Sequence, residues 1–71
     1  MRVRIEILHD RESIRKLLQH DGWRIDQAGG EATYFARHPT ITDEASARGR
    51  LNQSGLLTSP ALRIEFFPYA N

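Results

Sequence analysis

Strict alternation of apolar and polar residues marks both ends of this chain, and no other feature limits its fold as much. From Arg2 to Leu8, the residues Val3, Ile5 and Ile7 point one way; Arg2, Arg4, Glu6 and Leu8 point the other. From Ala61 to Phe67, Leu62, Ile64 and Phe66 share one face, and Arg63, Glu65 and Phe67 share the opposite one. A period of two with β-branched and aromatic residues is the pattern of a strand buried on one side. Pro68 ends the second stretch, since proline has no N–H to give to a ladder. Tyr69, Ala70 and Asn71 form a short tail.

Between these strands the periodicity changes. Asp10 suits a helix N-cap, and Glu12 in the first turn suits the helix dipole. Ile14, Leu17 and Leu18 follow helical spacing, Glu12 and Lys16 make an i,i+4 pair, and Gly22 offers a left-handed stop. The spacing predicts a helix over Arg11 to Asp21. Trp23 to Gln27 alternates again and Ala32 to His38 favours strand, so the Gly29-Gly30 turn between them reads as a hairpin. Pro39 ends that strand. Which of Tyr34 and Phe35 faces inward stays open, because this strand alternates poorly. Thr40 or Thr42 can cap a second helix over Asp43 to Gln53. Its apolar face is thin: Ala45, Ala47 and Leu51, with Gly49 read as a point of close packing against the sheet. Gly55 is a stop signal, and Leu56 and Leu57 anchor the exit.

The order strand–helix–strand–strand–helix–strand predicts an α+β fold of the ferredoxin-like, β-α-β-β-α-β type: a four-stranded antiparallel sheet with two helices on one face. The first and last strands then lie side by side. Their apolar sets meet Ile14, Leu17, Leu18 and Leu51, with Trp23 and Ile25 completing the core. A rival arrangement pairs the last strand with a second copy of the chain.

Seventy-one residues make one domain, 1–71, whose small core would gain from a partner subunit. No repeat and no low-complexity segment is found. The methionine start and the lack of a tag-like tail are read as a complete, or nearly complete, chain. There is no cysteine, so no disulfide, thiolate zinc site or thiol nucleophile, and a reducing cytoplasm is the expected setting. No apolar run approaches the roughly 18 residues of a membrane span, and the alternating start does not resemble a signal peptide. No membrane partner and no cofactor are expected.

Ten basic and nine acidic residues leave a net charge of +1. That balance argues against strong non-specific binding to nucleic acid. Nine of the ten basic residues are arginine, which suits bidentate contacts to carboxylate or phosphate, although arginine-favouring codons are the simpler account of the bias.

With both helices on one face, the other sheet face is open, and it supplies the candidate binding residues: Arg2, Arg4, Leu8, Arg63 and Phe67. Leu8, Phe67 and an exposed aromatic of the third strand could form an apolar patch of the kind that marks protein interfaces. Arginines interleaved with aromatics on a sheet are also how RNA-recognition folds hold bases and phosphates. Glu6 and Glu65 stand among those arginines and can pair with them across strands, which weakens the nucleic-acid reading.

No residue set predicts catalysis or a metal site. His9, His20 and His38 lack metal-ligand spacing, and Ser13, Ser46, Ser54 and Ser59 lack a nucleophile context. The Gly29-Gly30 turn does not sit between a strand and a helix, as a phosphate-binding loop would.

Leu17-Leu18, then Asp21-Gly22-Trp23, Gly29-Gly30 and Arg37-His38-Pro39, resembles the spacing of the HicA-type RNA-cleaving toxins over residues 17–39, about a third of the chain. The resemblance implies an α+β layer of the double-stranded-RNA-binding-like kind. It does not imply RNA cleavage, because Glu31 and Ala32 stand where that family's catalytic histidine follows the glycine turn. The leading strand also departs from that family's order. The sequence therefore predicts a non-catalytic protein-interaction or self-assembly module, with a homo-oligomer as the first expectation. The alternative is a weak binder of RNA or single-stranded DNA.

Overall fold

The structure, a computed structural model, describes residues 1–68; the tail read at positions 69–71 lies outside the described residues. Six elements follow one another: β1 (Arg2–Ile7), α1 (Arg11–His20), β2 (Arg24–Gln27), β3 (Thr33–Arg37), α2 (Glu44–Gln53) and β4 (Leu62–Phe67). The strands form one antiparallel sheet in the order β2-β3-β1-β4. The chain is α+β, with a four-stranded antiparallel sheet and two helices. The two cleanly alternating strands are neighbours, with Ile5 opposite Ile64 and Ile7 opposite Leu62.

Each strand is slightly shorter than its alternation suggests. Leu8 leaves β1, and its N–H bonds the Ala61 carbonyl at 2.6 Å. Beyond β3, His38 forms an isolated bridge with Ile41.

The core lies on the side of the sheet that carries Val3, Ile5 and Ile7, all at 2% exposure or less. These residues form one apolar cluster with Tyr34 and Ala36 of β3, Leu62 of β4, Ile14 and Leu18 of α1, and Ala47 and Leu51 of α2. Trp23 and Leu56 join it from the segments that follow the helices. Tyr34 therefore faces inward and Phe35 outward. The register decides this: Ile5 stands opposite Tyr34, and cross-strand partners share a face.

Both helices end in the same way. Leu18-Gln19-His20-Asp21-Gly22-Trp23 and Leu51-Asn52-Gln53-Ser54-Gly55-Leu56 each place a glycine in the left-handed region, at φ 96° and 75°. Trp23 N–H bonds Leu18 O at 3.0 Å and Gly22 N–H bonds Gln19 O at 3.1 Å; Leu56 N–H bonds Leu51 O at 2.9 Å and Gly55 N–H bonds Asn52 O at 3.0 Å. This is the Schellman closure, in which the residue after the glycine packs back on the helix. Trp23 on Leu18 and Leu56 on Leu51 are buried pairs, so each helix end is also part of the core.

Several local expectations fail, for identifiable reasons. Asp10 makes no side-chain cap; its backbone is left-handed (φ 54°), outside the extended geometry that a capping side chain needs. Glu12 pairs with Arg15 at 3.7 Å and not with Lys16, because i+3 is as near as i+4 on a helix surface. The cap of α2 is Asp43, neither Thr40 nor Thr42: its carboxylate accepts the Ser46 N–H at 2.7 Å and the Ser46 hydroxyl at 3.0 Å. Leu17 is 50% exposed, since the buried stripe of α1 is only Ile14 and Leu18. Ala45 is exposed, and Gly49 approaches nothing: a Cβ there would have no neighbour within 4 Å. The thin α2 leaves Phe66 half-covered, and Arg48 lies over its ring at 4.4 Å, as the long stem of an arginine allows.

Candidate interaction surface on the open sheet face

The outward residues of the four strands form a small grid. At one end, Arg24 of β2 stands opposite Arg37 of β3, and Arg2 of β1 opposite Phe67 of β4. One step past the Val3–Ala36 pair brings Arg37 level with Arg2. In the middle run Asp26, Phe35, Arg4 and Glu65. At the far end are Thr33, Glu6 and Arg63.

The first end is aromatic and basic. The Arg2 guanidinium lies 4.2 Å from the Phe35 ring centroid, and the Phe35 and Phe67 rings meet edge to face at 6.3 Å. Both contacts follow from the aromatic quadrupole, whose negative face attracts a cation and whose positive edge attracts another ring. The rings reach each other across β1 and stay half-exposed.

The β1–β4 part of the grid alternates in sign. Arg4 donates to Glu65 at 3.2 Å, and Arg63 lies 3.9 Å from Glu6. Each ion pair runs between opposite strands, and along each strand the sign reverses. The four charges surround a shallow depression of about 330 Å³, lined by Arg4, Glu6, Arg63, Ile64 and Glu65. Both pairs are open: side-chain exposures are 43% and 57% for Arg4 and Glu65, and 78% and 35% for Arg63 and Glu6. Each makes one nitrogen–oxygen contact, so carboxylate lone pairs and guanidinium donors are left over for another partner.

Charge is unevenly divided over the molecule. The outward strand positions hold five arginines (2, 4, 24, 37 and 63) against three acids (Glu6, Asp26 and Glu65), a balance of +2. The chain totals +1, so the rest carries −1.

Of the five residues that the sequence singled out, four share this face: Arg2 and Phe67 at the aromatic end, Arg4 and Arg63 in the alternating block. Leu8 does not join them. It lies past the opposite end of β1 from Arg2 and Phe67, so the apolar patch expected of Leu8, Phe67 and a third-strand aromatic does not form. Leu8 is exposed by itself, at 44%. Phe35 is the aromatic that completes the set. Its parity comes from the register against β1, where Phe35 stands opposite Arg4, and not from the strand's own weak alternation.

A second polar cluster, unforeseen from the sequence, joins α1 to α2. Asp21, which closes α1, takes both its carboxylate oxygens to Arg50 Nε at 2.9 Å, with Arg50 Nη2 at 2.7 Å from Oδ1. The hydrogen bond from Arg50 holds the Asp21 carboxyl below the usual aspartate value, and Asp21 raises Arg50 in turn. Beside it His38 is fixed at both ring nitrogens. Its Nδ1 accepts the Thr40 N–H at 3.2 Å, so Nε2 carries the hydrogen and donates to the Asp21 carbonyl at 2.8 Å. The His38 ring also meets Trp23 edge to face at 5.2 Å. A histidine and a carboxylate come close here, but both are used in tying the helices and β3 together.

No group of three or more His, Asp or Glu among the described residues is arranged to hold a metal ion. No helix among them is long and apolar enough to cross a membrane. Comparison with known proteins finds no matching family, no similar curated protein and no similar solved structure. The HicA-like spacing spans residues 17–39; β1, which lies outside it, pairs on both sides within the sheet.

Proposed function

We propose that this chain is a non-catalytic protein-interaction or self-assembly module of the ferredoxin-like type, working through its open sheet face. The strand order supports the fold part of this reading. Taken from the other edge it runs β4-β1-β3-β2, with β3 between the strands that α1 connects and β1 between those that α2 connects. That is the interleaving expected of a split βαβ unit.

One observation carries the functional part: exposed ion pairs, of which Arg4–Glu65 alone is hydrogen-bonded, stand beside a half-exposed aromatic pair. Exposed pairs of this kind add little to the stability of a lone domain, on the order of 0–1 kcal/mol. Covered by a partner, the same charges give register and selectivity.

The test compares immobilised wild type with Arg2→Ala/Phe67→Ala. Partner chains should be retained by the first and lost by the second; equal retention by both would remove the sheet face from the account. A second reading rests on the aromatic end, where three arginines line up beside Phe35 and Phe67. It assigns that end to single-stranded nucleic acid, with bases on the rings and phosphates on the guanidinium groups. Binding that weakens steeply with salt and is lost in Arg2→Ala would favour it.

A further inference from the structure

The alternating charges on β1 and β4 are complementary to themselves. Arg4 and Glu65 stand side by side at one level, Glu6 and Arg63 at the next. A second copy laid face to face, about a two-fold axis parallel to the strands and midway between β1 and β4, exchanges the two columns. Arg4 then meets the second copy's Glu65, and Glu6 meets its Arg63. One level away, Arg2 meets the other copy's Phe67, a cation over an aromatic ring. Every charge in this block faces its opposite.

The rest of the face agrees with that axis. β3 and β2 lie to one side of it, so Arg24 and Arg37 of the two copies come out on opposite flanks and do not confront each other. The ion pairs inside one chain are single contacts at 3.2 and 3.9 Å, so each carboxylate can accept a second arginine without giving up its first. Closing the face lowers the local dielectric, which strengthens the attraction within each pair and raises the cost of any charge left facing its like, so the sign pattern selects the register.

We propose that the partner of the open face is a second copy of this chain, bound β1 against β4 across that two-fold axis. This rests on the reading of the face as an interaction surface and names its occupant.

The test uses charge reversal in the full chain. Arg4→Glu sets a carboxylate against the second copy's Glu65; Glu65→Arg sets a guanidinium against the second copy's Arg4. Each variant alone should be monomeric where wild type dimerises, with association at least about tenfold weaker than wild type. Mixed in equal amounts, they should dimerise again. The carboxylate introduced into one then faces the guanidinium introduced into the other, and the unaltered Glu65 of the first faces the unaltered Arg4 of the second. Sedimentation at low salt, with circular dichroism to confirm that each variant is folded, reads this directly. A mixture that stays monomeric while wild type dimerises overturns the proposed arrangement and leaves the face as an interaction surface. Wild type that is monomeric at about 1 mM overturns the second copy as partner. Loss of captured partners in the Arg2→Ala/Phe67→Ala variant then decides the broader reading separately.

Discussion

The two faces of the β1–β4 ribbon come from the same alternating residues and have opposite characters. On the inner face Val3, Ile5, Ile7 and Leu62 are sealed under two helices. On the outer face Arg4, Glu6, Arg63 and Glu65 are paired but open. The Asp21–Arg50 pair sharpens the contrast. It has three nitrogen–oxygen contacts of 2.7–2.9 Å and ties two helices, whereas the outer pairs make one contact each. A closed pair is part of how the chain holds itself together. An open pair on a sheet surface has capacity left for something outside the chain.

If the two faces differ in this way, substitutions should separate them, the inner ones acting on stability and the outer ones on association. The largest effect is expected from Ile5→Ala, at the centre of the inner face with 0% exposure. It should lower unfolding free energy by about 2–5 kcal/mol in a denaturant titration. Arg4→Ala, one residue away on the outer face, should change it by no more than about 1 kcal/mol. Comparable losses from the two would break the comparison.

Next come the helix ends that anchor the inner face. Gly22→Ala and Gly55→Ala both force a side chain into the left-handed region, at about 1–2 kcal/mol each. Gly22→Ala should cost more, because its Cβ would meet His38 Nε2 at 2.8 Å while Gly55 has open space. Thermal unfolding of the pair reads the difference. A smaller effect concerns acid. The Asp21 carboxyl is held below its ordinary value of 3.8 in the folded chain, mainly by the Arg50 hydrogen bond. Its stabilising contribution is therefore complete above the unfolded value and fades as pH falls through the lower folded one. Asp21→Asn should flatten the loss of stability below about pH 4. The smallest change is a gain: Gly49→Ala, on an exposed and contact-free stretch of α2, should stabilise by about 0.5–1 kcal/mol.

Much of the inner face was legible in the sequence, because period-two alternation specifies a face without reference to anything distant. The helix stops at Gly22 and Gly55 were legible for the same reason: the glycine, and the apolar residue after it, act locally. What failed depended on neighbours. The exposure of Leu17 follows from how narrow a stripe of α1 the sheet covers. The freedom of Gly49 follows from which side α2 turns to the core. The Asp21–Arg50 pair links positions 29 apart through helix packing, and no local signal marks it. At the candidate site, alternation named Arg2, Arg4, Arg63 and Phe67 correctly as outward. It could not exclude Leu8, because the end of β1 is set by the hydrogen bond to Ala61. Nor could it show the sign pattern, which needs the register between β1 and β4 and appears only when Arg4 is set against Glu65 and Glu6 against Arg63.

If a second copy covers the open sheet face, the mass of the chain in solution must depend on concentration and on salt. The most direct measurement is the molar mass of the wild-type chain by light scattering, from micromolar to about 1 mM at low salt and again at about 1 M salt. The mass should rise from 8.2 kDa toward twice that value with concentration, and return toward the monomer when salt screens the charges. A mass that stays at 8.2 kDa throughout would contradict it.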